Sequence, residues 1–212
     1  MEETTRSLFA RPHTALIVVD KQQAYFSRDA LARRGWHLAD DFEQRLKVLD
    51  DFILAARQAA VPVIWTQMTE DVELSPVPIK TKMRLDVAAG RTSIAATPGT
   101  ADYDFAGETQ PTADEVIISK SHYDAFSEPA LHDHLKHQGI TSVVLVGGFT
   151  SRCVLGTAYG ANSHDYHVLM LKDLCFEPIE FSPEAPAAYS ITEAILGYVT
   201  TADELVAHWS SV

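Results

Sequence analysis

The sequence is short of positive charge, of cysteine and of long apolar runs, and each shortage removes a class of function. Seventeen Lys and Arg stand against 29 Asp and Glu, a formal net charge of −12 with histidine neutral. Such a chain lacks the basic face that nucleic acid requires and is repelled by anionic lipid, so we expect neither as a partner. No apolar run approaches the ~20 residues of a membrane span. The acidic start Met1-Glu2-Glu3-Thr4-Thr5-Arg6 has no apolar stretch of the kind that directs secretion. The only two cysteines, Cys153 and Cys175, give no disulfide framework and no zinc knuckle. A reducing cytoplasm is the expected location. What remains, at 46% apolar and 22% charged residues, suits one globular domain with a full core over residues 1–212.

What is present is an alternation. Short Val- and Ile-rich runs at residues 15–19, 61–65, 115–119, 143–146 and 167–171 read as buried strands. Between them lie amphipathic stretches. Residues 42–59 place Leu46, Leu49, Phe52, Ile53 and Ala56 on one face, and residues 128–137 end before Gly139, a C-cap candidate. Helices near 187–197 and 202–209 bracket a short strand at 198–200. Alternation at this spacing predicts an α/β fold, a parallel sheet covered on both faces. Ligands in such sheets bind beyond the carboxyl ends of the strands, where the strand order reverses. Residues 68–112, interrupted by Pro76, Pro78, Gly90, Pro98, Gly99 and Gly107, resist assignment and read as a functional loop that covers the site or packs on a neighbouring subunit.

Three reactive side chains fall at predicted strand ends: Asp20, Lys120 and Cys153. A buried cysteine is ordinarily a small inert hydrophobe. Cys153 differs because it follows the turn Gly147-Gly148-Phe149-Thr150-Ser151-Arg152 and opens a helical pattern, with Thr150 or Ser151 as N-cap. There backbone N–H groups favour a thiolate and can hold an oxyanion. Asp20 beside it becomes a general base, and Lys120 a buried cation that orients the base and lowers the thiol pKa. Cys175 has no such surroundings and is expected to be structural.

The segments Ala15-Leu16-Ile17-Val18-Val19-Asp20-Lys21-Gln22, Lys120-Ser121-His122-Tyr123-Asp124-Ala125-Phe126 and Val146-Gly147-Gly148-Phe149-Thr150-Ser151-Arg152-Cys153-Val154 carry a resemblance. In order and spacing the chain resembles the isochorismatase-like cysteine hydrolases, which include nicotinamidase, N-carbamoylsarcosine amidase, biuret hydrolase and ureidoacrylate amidohydrolase. The resemblance implies a three-layer α-β-α fold with a six-stranded parallel sheet of Rossmann-like topology. It implies an Asp20-Lys120-Cys153 triad, a cis peptide between Gly148 and Phe149, and an oxyanion hole from the N–H groups of Phe149 and Cys153. A homodimer or homotetramer is also implied. The expected reaction is hydrolysis of a C–N bond in a small amide, ureide or carbamoyl compound through a thioester.

Departures from the family pattern bear on the substrate. Nicotinamidases carry an Asp-x-His metal motif after the second strand, where this chain reads Thr66-Gln67-Met68-Thr69-Glu70-Asp71-Val72. We therefore expect neither metal nor cofactor. His132, His134 and His137 read as an exposed helix face rather than a metal site. Carbamoyl hydrolases tend to read Thr-Ser-Gly-Cys-Val-Arg at the nucleophile, whereas here Arg152 replaces the glycine and Leu155 the arginine. Arg152 either faces solvent or meets an anionic substrate. Gln22, Tyr25, Phe26, Tyr123 and Phe126 are candidate pocket residues, with Trp36 and Phe149 as further aromatic candidates, though core packing suits the rings as well. Two rival readings are vinyl-ether hydrolysis, whose enzymes lack the cysteine, and a non-catalytic binding protein, which would have a broken triad.

Overall fold

The computed structural model describes residues 3–70, 75–90 and 95–210. Six parallel strands form one sheet: β1 (Thr14–Val19), β2 (Val63–Met68), β3 (Val116–Lys120), β4 (Ser142–Gly148), β5 (His167–Phe176) and β6 (Gly197–Thr200). The helices are α1 (Glu3–Leu8), α2 (Gln23–Phe26), α3 (Arg28–Ala32), α4 (Phe42–Gln58), α5 (Val77–Ala88), α6 (Pro129–His137), α7 (Leu155–Ser163), α8 (Ala185–Ile191) and α9 (Ala202–Ser210). The strand order is β3-β2-β1-β4-β5-β6. The chain winds outward from β1 to one edge, returns to the middle as β4 and winds to the other edge. The reversal lies between β1 and β4, whose register runs from Thr14 opposite Ser142 to Val19 opposite Gly147.

Every residue of β1 is buried, and the two-residue period of the strand divides them between two cores. Leu16 and Val18 join Phe52 and Ile53 of α4 and Leu205 and Trp209 of α9. Ala15, Ile17 and Val19 join Leu131 and Leu135 of α6 and Ala158 and Ala161 of α7. The expected three layers follow directly. Leu49, Phe52, Ile53 and Ala56 of α4 are buried as their spacing predicts, and Leu46 is partly so. Gly139, at φ +68°, closes α6: its N–H reaches the Lys136 carbonyl, and the Ile140 N–H that of Leu135.

The structure corrects the reading of residues 68–112. Its described part holds a three-turn helix, α5, that starts directly after Pro76, with Pro78 in its first turn where the missing N–H costs nothing. None of its side chains is buried. Among the described residues no helix is long and apolar enough to cross a membrane.

Candidate active site

Asp20 is the first residue beyond β1 and turns the chain at φ +47°, a left-handed conformation that Asp tolerates better than most residues. Thr66 of β2 fixes it twice: its hydroxyl accepts the Asp20 N–H at 3.1 Å and donates to Asp20 Oδ1 at 2.6 Å. Lys120 ends β3, two strands away, or about 10 Å at the usual strand spacing. Only a side chain of lysine length bridges that gap. It crosses over Met68, 3.7 Å from the sulfur, and sets Nζ 2.7 Å from Asp20 Oδ2, with a further bond to the His122 carbonyl at 3.0 Å. Both side chains are sealed from solvent, at 1% exposure or less.

Cys153 follows β4. Gly147, at φ +112°, lies so close to β1 that a Cβ there would stand 2.2 Å from the Val19 carbonyl oxygen, and the Gly148–Phe149 peptide is cis. Residues Thr150–Val154 form a single π-helical turn leading into α7. Neither Thr150 nor Ser151 is its N-cap, as the sequence had led us to expect. Phe149 holds that position without a side-chain bond; Thr150 donates to the Phe176 carbonyl, and the Glu177 carboxylate accepts the Ser151 N–H at 3.0 Å and its hydroxyl at 2.5 Å. Glu177 thus supplies the charge and acceptor that the turn lacks.

The thiol of Cys153 feels the charges of both Asp20 and Lys120. Burial pushes its pKa up and the Asp20 charge pushes it further, while Lys120 pulls it down without reversing the sum. A neutral thiol rests beside an ionised pair. For Lys120 burial works against the charge, but Asp20 and Cys153 outweigh it, and its pKa is raised. Cys175 is a contrast: more deeply buried than Cys153, it donates to the Leu145 carbonyl at 3.7 Å.

Cys153 opens on a cavity of about 590 Å³. Tyr25, Tyr123, Phe149 and Arg152 of the predicted residues line it, as does Trp36. Gln22, Phe26 and Phe126 do not, for identifiable reasons. Gln22 is fully buried and braces the end of β2, accepting the Met68 N–H and donating to the Met68 and Tyr103 carbonyls. Phe26 packs against Phe42 and Phe176, and Phe126 stacks on His164 in the opposite core. Arg152 lies along the cavity wall with its guanidinium 3.7 Å from the Phe181 ring centre, within 4 Å of Glu177 and Glu184.

Two wall residues, Arg34 and Phe181, lie outside every site reading of the sequence, whereas Glu70 and the face of α5 carrying Ile79 and Met83 fall in the segment 68–112 that was expected to cover the site. Arg34 Nη2 donates to both oxygens of Glu70, and Glu70 also accepts the Tyr25 hydroxyl at 2.7 Å. Burial first, then the Glu70 charge, raises the Tyr25 pKa, so this phenol stays a neutral donor. Glu70 had one legible signal, since it lies just beyond a strand end as Asp20 does. Among the described residues no group of three or more His, Cys, Asp and Glu is placed to hold a metal ion.

Known proteins share this architecture. A cysteine hydrolase from Pseudomonas syringae pv. phaseolicola superposes with a TM-score of 0.77 at 20% identity, covering 95% of this chain and 94% of the other. N-carbamoylsarcosine amidase from Thermoplasma acidophilum gives 0.64 at 21% identity, covering 90% and 96%. In sequence the chain is 27% identical over 203 residues to the ureidoacrylate amidohydrolase RutB of Variovorax paradoxus, covering 91% of this chain and 80% of that one. It is 30% identical over 201 residues to RutB of Stutzerimonas stutzeri, covering 90% and 80%. The isochorismatase domain matches residues 14–204, nearly the whole chain. With that match spanning Asp20, Lys120 and Cys153, the chain belongs to the isochorismatase family and is a hydrolase.

Proposed function

We propose that this hydrolase is a cysteine-dependent amidohydrolase that cleaves a C–N bond in a small amide, ureide or carbamoyl compound through a thioester. The observation that carries the reading is the sealed Asp20–Lys120 pair, 2.7 Å apart, electrostatically coupled to a thiol that faces a cavity. A buried ion pair is expensive unless geometry repays it, and here the thiol stands where the pair can move its proton. Relatives with ureidoacrylate amidohydrolase and N-carbamoylsarcosine amidase activity by name support the same chemistry.

In this mechanism Sγ attacks the carbonyl carbon while Asp20 takes the thiol proton. The carbonyl oxygen gathers charge facing the N–H groups of Phe149 and Cys153. The C–N bond breaks as Asp20 returns the proton to the departing nitrogen, which leaves as ammonia or an amine. Water then attacks the thioester, giving a proton to Asp20 that passes to the departing sulfur. Lys120 keeps Asp20 ionised at the start of each half-reaction and remains protonated throughout. Ammonia release measured across primary amides, ureas, biuret and N-carbamoyl amino acids tests the reading. Release from at least one class is expected, and silence across all of them would contradict it.

A further inference from the structure

The turn that carries Cys153 is gripped from the end of β5. The register of β4 and β5 pairs Gly148 with Phe176, which sets the start of the turn beside the last residues of β5. Within the turn the N–H groups of Arg152 and Val154 both reach the Phe149 carbonyl, each at 3.1 Å. Two further bonds come from β5 and its end. The Thr150 hydroxyl donates to the Phe176 carbonyl at 3.0 Å. Beside it the Glu177 carboxylate takes the Ser151 N–H on Oε2 and the Ser151 hydroxyl on Oε1. A charged acceptor makes such bonds about twice as strong as neutral ones.

The place is an expensive one for a carboxylate. The Glu177 side chain is 5% exposed, and Arg152 Nη1, itself buried and without a hydrogen bond, stops 3.7 Å short of it. Glu184 Oε2 lies 3.0 Å from the same Ser151 hydroxyl, which has one proton to offer two carboxylates. Tyr189 of α8 and Cys175 of β5 also feel the Glu177 charge. Burial raises the Glu177 pKa, the bonds from Ser151 and the charge of Arg152 oppose it, and Glu184 adds to the rise. Neither Ser151 nor Glu177 lines the cavity, so the carboxylate works at one remove from the substrate.

We propose that Glu177 is a positioning residue: its carboxylate holds the nucleophile turn, so that Cys153 stays beside Asp20 and Lys120 and aimed at the bound carbonyl. The kinetic part of this role rests on the amidohydrolase reading, whereas the hold on the turn is measured without substrate. Glu177→Gln has the shape of the protonated side chain, keeping an acceptor for the Ser151 N–H but no charge. With the best substrate of the amide and ureide series it should lower kcat about tenfold at neutral pH and leave KM within about threefold. The gap should narrow on the acid side, where wild-type Glu177 takes up a proton and the variant has none to take. Glu177→Ala removes the acceptor altogether and should lower kcat about 100-fold. Its Ser151 N–H should exchange for deuterium at least about tenfold faster than in wild type, while the amides of β1 keep their rates. A merely structural Glu177 would quicken exchange across the sheet and give a ratio of kcat values indifferent to pH.

Wild-type kcat in Glu177→Gln at neutral pH, a loss that falls on KM, a ratio that does not change with pH, or unchanged exchange at Ser151 in Glu177→Ala would each overturn the proposal. If Glu177→Ala does not fold, the pH profile of Glu177→Gln decides alone. If exchange quickens at Ser151 as stated but the wild type hydrolyses no amide or ureide, the hold on the turn stands and the amidohydrolase reading fails.

Discussion

Asp20→Asn is expected to lower turnover by about 10³-fold or more, the cost of losing a general base, while making Cys153 easier to alkylate. The two readouts part because of what faces the thiol. Burial raises its pKa most, Lys120 lowers it, and the Asp20 charge raises it further. Neutralising residue 20 removes one raising influence and leaves the lowering one in place, so the thiolate forms at lower pH. Iodoacetamide labelling of Cys153, followed against pH by mass spectrometry, should show its midpoint displaced to lower pH in the variant. A merely structural Asp20 would move labelling and turnover together. Near-normal turnover in Asp20→Asn would remove this residue from the reaction.

Lys120→Met is expected to abolish turnover and to destabilise the fold by about 3–5 kcal/mol at neutral pH, because it strands a buried carboxylate. The sign of its pH dependence follows. In the native chain the Lys120 pKa is raised, so its contribution is complete below the unfolded value of ~10.4 and is lost only as pH climbs through the folded value. In the variant the stranded charge is the buried Asp20 carboxylate, left without its cation. Protonation relieves it, so the deficit against wild type should shrink between about pH 8 and about pH 5. Urea denaturation at the two pH values measures this. Adding Asp20→Asn should restore stability but not activity, since the pair is then absent rather than broken. A deficit that does not change with pH would show that Lys120 acts through packing alone.

The sheet was legible because its strands are short, apolar and regularly spaced, and all six appear within a few residues of where the pattern places them. Their ends were less so. β2 runs on through Thr66, Gln67 and Met68, polar or flexible residues that periodicity discounts but that hold Asp20 and Gln22. α5 was hidden by its own prolines and by apolar residues spread around the helix: Ile79 and Met83 face the cavity, whereas Val77 and Leu85 are 73% and 62% exposed.

Asp20 and Lys120 stand out in the sequence because each follows an apolar run, which makes a charged side chain conspicuous, and Cys153 because it follows such a run across one turn. The cavity wall does not stand out. Arg34 and Glu70 are 36 residues apart, and Phe181 reaches Trp36 from beyond β5. No spacing rule brings such residues together, and only the fold does. Phe26 and Phe126 show the converse: each lies beside a candidate motif, yet its ring packs into a core instead of lining the cavity.

The proposed thioester would place the acyl group on Cys153 during turnover. Enzyme mixed with the best substrate of the amide and ureide series, quenched in acid within the first turnovers and mapped by peptide mass spectrometry, tests it directly. The account predicts an added mass equal to the acyl group on the peptide containing Cys153, none on that containing Cys175, and neither adduct nor turnover in Cys153→Ala. Turnover by Cys153→Ala near the wild-type rate, or an acyl group found on another residue, would contradict it.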